Sequence, residues 1–298
     1  MTGQIQFNIP EEAFDWYDAY AHGMMDRREF MDRLGTLAKG GITMAMLTSA
    51  LIPNYALAEQ VNFNDEDIKA SYATFSSPNG HGEGRGYLVQ PSSLADGATA
   101  PCVLVVHENR GLNPYVKDVA RRLAKVGFVA FAPDALHPLG GYPGNDDEGR
   151  TMQRSLDRSK IEADFIAAAN FLHDHALSSG KVGVVGFCFG GYISNFLAAS
   201  LPDVIDAAVP YYGTPARNDI VGNVKGPVMI QLAETDERVN AAWPAYEEVL
   251  KANNAPYQMH MYPDTRHGFH NDSTGRYNPE MAELSWGRTI EFFNEHLN

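Results

Sequence analysis

Residues 181–200, KVGVVGFCFGGYISNFLAAS, decide the fold of this chain. The first seven are an apolar run of strand length, and the last ten are small and apolar residues compatible with a helix. Between them Gly186-Phe187-Cys188-Phe189-Gly190 makes a corner, with glycines two places before and two after its middle residue. That spacing is a nucleophile elbow with Cys in place of Ser. The glycines leave room for a tight turn, and the middle side chain is pushed out at the end of the strand. The helix that follows presents its positive N-terminus there, which favours thiolate over thiol.

Working outward, the rest of the chain alternates. SYATFS (71–76) and GRGYLVQP (84–91) are expected as two strands joined by a glycine-rich turn. PCVLVVHE (101–108), FVAFAPD (128–134), DAAVPYYG (206–213), GPVMIQLAETD (226–236) and YQMHMYP (257–263) are further strands. Helices are expected over 113–127, 157–175, 189–200, 241–254 and 279–297, the fourth with Pro244 in its first turn. Residues 76–86 and 140–149 are turn-rich loops by their Gly, Pro and Asn content. Wholly apolar strands alternating with helices predict an α/β fold. Its central sheet is mostly parallel with helices on both faces, and the first two strands form an antiparallel edge hairpin. Ligands in such a sheet sit beyond the carboxyl ends of the strands.

Two more chemical groups fall at those ends. ETDERVN (234–240) offers Asp236, and PDTRHGFHND (263–272) offers His267. Nucleophile, acid, then histidine is the chain order of α/β-hydrolases. His267 would accept the Cys188 proton and later protonate the leaving group or activate water, and Asp236 would fix the imidazole tautomer. Glu234 and Glu237 are alternatives for the acid, and His270 for the base. The oxyanion of a tetrahedral intermediate needs donors. The Phe189 N–H follows the nucleophile, and the Asn109 N–H lies in the loop after the strand at 101–108.

Composition bounds the alternatives. The chain has 298 residues, 44% hydrophobic and 20% charged, with a formal net charge of −14. An acidic chain lacks the basic surface that nucleic-acid binding needs. Its two cysteines, Cys102 and Cys188, make no disulfide framework, and Cys102 is expected as a buried strand residue. His173/His175 and His267/His270 lack a partner at ligand spacing, so neither metal nor cofactor is expected.

The N-terminus reads differently, and a boundary is placed between residues 1–65 and 66–298. EEAFDWYDAYAHGMM (11–25) is amphipathic and helical, and DRREFMDRLG (26–35) carries Arg27-Arg28. GGITMAMLTSALIPNYALA (40–58) is weakly hydrophobic and ends in small-x-small, Ala56-Leu57-Ala58. Together these resemble a twin-arginine export signal, which implies a periplasmic destination. The alternative is a cytoplasmic protein in which Phe30, Leu34 and Leu37 pack on the body or join a homo-oligomer. Flanked by Lys39 and broken by Pro53, the run is too short for a stable membrane span.

The elbow GFCFGG, the segment VVHENRGLNPYVKDVARRLAKVGFVAFAPD, Asp236 and RHGF together resemble the dienelactone hydrolase family of α/β-hydrolases, whose members include carboxymethylenebutenolidases. The resemblance spans roughly residues 70–298. It implies hydrolysis of a small-molecule ester or lactone through a Cys-His-Asp triad and a covalent acyl-enzyme. It also implies that Glu108 interacts with the resting cysteine and helps to activate it. Two family arginines that hold a substrate carboxylate are missing, with Pro138 and Asn271 in their places. Arg110 and Arg266 lie near in sequence and are the candidate replacements. The alternative from another class is a non-catalytic or redox-sensing protein that uses Cys188 as an oxidisable thiol.

Overall fold

In a computed structural model, residues 9–39, 42–55 and 58–298 are described. Three helices come first, α1 (Glu11–Ala21), α2 (Arg27–Thr36) and α3 (Met44–Leu51). Then β1 (Ile68–Ser77), β2 (Gly82–Pro91), β3 (Ala100–Val106), α4 (Pro114–Lys125), β4 (Val129–Pro133), α5 (Asp146–Ser155), α6 (Arg158–His173) and β5 (Ser178–Phe187) follow. The chain closes with α7 (Phe189–Ser200), β6 (Ala207–Tyr211), β7 (Val228–Ala233), α8 (Glu237–Asn240), α9 (Trp243–Ala252), β8 (Tyr257–Tyr262) and α10 (Pro279–Leu297).

The eight strands form one sheet in the order β1-β2-β4-β3-β5-β6-β7-β8. β1 and β2 pair antiparallel, β2 meets β4 antiparallel, and every other pairing is parallel. Apolarity along whole strands follows from burial on both faces. In β3, Cys102, Leu104 and Val106 join the core that holds Phe165 and Phe196, while Val103 and Val105 join the core that holds Tyr115 and Phe293. Burial pushes the Cys102 thiol up to about 11, so this cysteine is a core residue.

One expected loop differs. Residues 140–149 run into α5, because the Asn145 side chain accepts the Asp147 and Glu148 N–H groups and three acidic residues fill the first turn. That cap and charge pattern starts a helix despite Gly149.

The N-terminal helices build a third apolar cluster of their own, with Tyr17, Tyr20, Phe30, Leu34, Leu47 and Leu51 at its centre. The Tyr20 and Phe30 rings stack with centroids 4.9 Å apart. Arg27 and Arg28 are exposed at the start of α2, which is capped by the Asp26 side chain. The hydrophobic run after α2 yields the eight-residue α3. Gly40, Gly41, Ala56 and Leu57 lie outside the described residues, and with them most of the small-x-small site. Among the described residues, no helix is long and apolar enough to cross a membrane. The segment is tied to the sheet domain by polar contacts: Arg276 to Asp18 at 3.0 Å, Asn109 to the Ala21 carbonyl at 3.0 Å, and Arg110 to the Tyr17 hydroxyl at 3.2 Å.

Candidate active site

Cys188 stands between β5 and α7 with φ 56° and ψ −109°. A side chain in this left-handed corner is strained by roughly 1–3 kcal/mol, which the surrounding packing must offset. The glycines show how. A Cβ on Gly186 would lie 2.0 Å from the Gly190 carbonyl oxygen, and one on Gly190 would lie 2.2 Å from the Val106 carbonyl oxygen. Backbone therefore touches backbone on both sides of the corner, and β3 buttresses the start of α7.

His267 lies in the loop after β8, and Asp236 caps α8 at the end of β7. His267 Nδ1 is 2.5 Å from the Asp236 carboxylate, and both side chains are nearly fully buried. That carboxylate also accepts the Val239 N–H. Among the described residues His267 Nε2 is buried without a hydrogen-bond partner, which leaves its second nitrogen for chemistry. Ring nitrogens of His267 and His22 and the Cys188 sulfur all lie within 4.8 Å of one another.

The other acid and base candidates sit elsewhere. Glu234 accepts the Asp264 N–H, and exposed Glu237 opens the first turn of α8. His270 Nδ1 bonds the Tyr115 hydroxyl at 2.7 Å, and burial pushes its imidazole well below the usual range. A histidine held neutral in the core is a packing group.

Glu108 is buried and receives the Asn271 side-chain amide at 3.1 Å. Burial raises its carboxyl pKa and outweighs the Arg110 guanidinium; the charge of Cys188 acts in the same direction as burial. Asn109 is fixed by its side-chain bond to Ala21, and Phe189 is the first residue of α7. Among the described residues, neither of their backbone N–H groups donates to a protein acceptor.

The candidate arginines are committed. Arg110 is buried against Asp146 at 2.8 Å and Tyr17. Arg266 pairs with Asp15 at 2.5 Å and reaches toward Glu11. Arg266 does line a cavity of about 430 Å³ between α1 and the catalytic edge. Phe14, Asp18 and Met24 form one wall, and Asp236, Arg238, His267 and Arg276 the other. Arg276, which sequence reasoning passed over, bonds Asp18 at 3.0 Å and lies over the Tyr17 ring.

The larger omission is His22. Its Nε2 is 3.4 Å from the Cys188 sulfur, its Nδ1 is 2.9 Å from the Asp18 carbonyl, and its ring meets His267 edge-on with centroids 4.7 Å apart. Contacts between residues 166 apart have no local signature. The two imidazole nitrogens and the sulfur also make a donor set that could hold a metal ion, a combination that the spacing of neighbouring histidines does not show.

Charge follows from this crowd. Burial alone would push the Cys188 thiol up, but the His267 and His22 imidazoles outweigh it and hold it well below the ordinary thiol value. Burial alone would lower His267, but Asp236, then Cys188 and Asp18, hold it well above the ordinary imidazole value. Both shifts act in favour of the thiolate–imidazolium form of the pair.

The Dienelactone hydrolase family matches residues 85–297, and a family described as YqhI-like matches residues 1–39. The chain is 38% identical to "Protein usf" of Aquifex pyrophilus, over 72% of this chain and 94% of that one. It is 30% identical to a protein of Bradyrhizobium named "Probable 2-oxo-3-(5-oxofuran-2-ylidene)propanoate lactonase", over 73% of this chain and 92% of that one. Among solved structures, a dienelactone hydrolase-like promiscuous phosphotriesterase from metagenomic libraries superposes with a TM-score of 0.68 at 23% identity, covering 78% of this chain and all of that one.

Proposed function

This chain belongs to the dienelactone hydrolase family and is a lactone or ester hydrolase; from that premise we propose that it works through Cys188, His267 and Asp236 and a thioester acyl-enzyme. The observation that carries the reading is the 2.5 Å pairing of His267 with Asp236 beside a cysteine held in a strained elbow.

The Cys188 thiolate forms a C–S bond to the substrate carbonyl, and the oxyanion takes the Phe189 and Asn109 N–H groups. As the C–O bond breaks, the leaving oxygen takes the Nε2 proton of the His267 imidazolium. Neutral His267 then removes a proton from water, and the hydroxide adds to the thioester. The C–S bond breaks, the acid leaves, and the thiolate–imidazolium pair is restored. Asp236 keeps the Nδ1 proton in place throughout.

Neutral esters or lactones should be accepted at least as well as anionic ones. Arg266 and Arg276 in the cavity wall are already paired with Asp15 and Asp18, and Arg110 with Asp146, which leaves Arg238 as the wall arginine with no carboxylate partner among the described residues. A panel of small lactones and chromogenic esters, assayed on the protein and its Cys188→Ala variant, tests the reading. A burst of product in the parent and loss of turnover in the variant are expected. Full turnover by Cys188→Ala would overturn it.

A further inference from the structure

His22 is where the N-terminal segment touches chemistry. α1 ends at Ala21, whose carbonyl takes the Asn109 amide, and the next residue carries its imidazole to the Cys188 sulfur. The ring is oriented from behind. Nδ1 faces the Asp18 carbonyl at 2.9 Å and the Asp18 carboxylate at 3.5 Å. Asp18 is itself gripped by Arg276. Nδ1, which faces only those acceptors, donates to them, and Nε2 lies within hydrogen-bond distance of the sulfur at 3.4 Å, so that whenever the sulfur is a thiolate Nε2 carries a proton too. His22–Asp18 thus stands beside His267–Asp236 at the same sulfur, with the Asp18 backbone carbonyl nearer to Nδ1 than its carboxylate.

Resting on the proposed cysteine mechanism, we propose that His22 is a fourth catalytic residue, an imidazolium from the N-terminal segment whose Nε2–H bonds the Cys188 thiolate. It gives up no proton in the sequence of steps. It holds the N–H···S bond whenever sulfur carries charge, before attack and again as the C–S bond of the thioester breaks. The cavity is lined by His267 but by neither Cys188 nor His22. Other charged groups around the pair are Asp18 on α1, Glu108 after β3, Asp236 before α8, and His267 and Arg276 before α10. The imidazole pKa of His22 is raised: burial opposes the proton, but the Cys188 charge and the bonds to Asp18 and Cys188 outweigh it.

The test is the rate of iodoacetamide alkylation of Cys188 against pH, in the full chain and in His22→Ala, with melting temperature as the folding control. The midpoint should move up by about one unit or more, which is a tenfold loss of thiolate on the acid side. Turnover should fall at least about tenfold, and added imidazole should restore part of both. If His22→Ala does not fold, His22→Gln, which fills the space without charge, carries the same expectation for the alkylation midpoint and turnover. An unchanged alkylation profile would overturn the proposal. So would faster turnover, which would make His22 a plug over the nucleophile. Alkylation does not depend on turnover, so full activity in Cys188→Ala would sink the hydrolytic mechanism and leave the His22–sulfur contact measurable on its own.

Discussion

Asn271 donates its side-chain amide to the Glu108 carboxylate at 3.1 Å, and both residues are buried. The amide is further held by Ser273, whose hydroxyl and N–H both donate to the Asn271 side-chain oxygen. A position where the family resemblance implies a substrate-binding arginine is here spent on orienting Glu108. Glu108→Gln keeps the shape and removes the charge near the thiolate. Iodoacetamide should then alkylate Cys188 faster at pH 7, while ester turnover falls. Glu108→Ala should cost about 1–3 kcal/mol by urea unfolding, because Asn271 is left buried and unpaired.

The thiolate–imidazolium pair sets the pH dependence. Cys188 is held well below its ordinary 9.0 and His267 well above its ordinary 6.5. Turnover should be high between the lowered value of Cys188 and the raised value of His267, fall in acid as the sulfur takes a proton, and fall in alkali as His267 loses one. Asp236→Asn should move the alkaline limb to lower pH and reduce kcat on the order of a thousandfold or more.

The His267–Asp236 ion pair makes stability depend on pH. His267 is raised, so its contribution is complete below 6.5 and is lost as pH rises through its folded value. Asp236 is lowered from 3.8 by His267 against the effect of burial, so its contribution is present above 3.8 and lost as pH falls through its folded value. The destabilisation by Asp236→Asn should therefore be largest near pH 5–6 and shrink in alkali, which a series of thermal melts reads directly.

The elbow tolerates no added methyl group. Gly190→Ala places a carbon 2.2 Å from the Val106 carbonyl oxygen, and neither β3 nor α7 can yield without moving Cys188. A loss of about 1–3 kcal/mol or more is expected in urea unfolding, with turnover falling further than stability explains.

Substrate charge gives a further expectation. Neutral lactones should be turned over at least as well as those with a free carboxylate. A preference for the anionic substrate that disappears in Arg266→Ala would show that Arg266 leaves Asp15 to bind it.

The sheet was legible because its strands are continuously apolar and its helices periodic, so burial alone wrote the pattern from β3 to α10. Cys188 was legible because its glycines are local. His267 and Asp236 were nominated through chain order, and the structure places the rival His270 against the Tyr115 hydroxyl instead. His22, Asp18 and Arg276 were missed for one reason. Each acquires its role from a partner that lies 166 or 258 residues away, and no short-range pattern marks either end. Arg110 was nominated by proximity in sequence, yet its guanidinium is used internally by Asp146 and Tyr17.

The separate apolar cluster of the three N-terminal helices has a consequence for how the enzyme fails. Their core is their own, and polar bonds such as those from Arg276, Asn109 and Arg110 join them to the sheet domain. Such a unit opens at a lower free energy than the sheet beneath it. Mild denaturant should therefore peel α1 away first and carry His22 and one wall of the cavity with it. Inactivation would then precede loss of the sheet, and the working temperature limit of this hydrolase would be the melting point of its N-terminal helices.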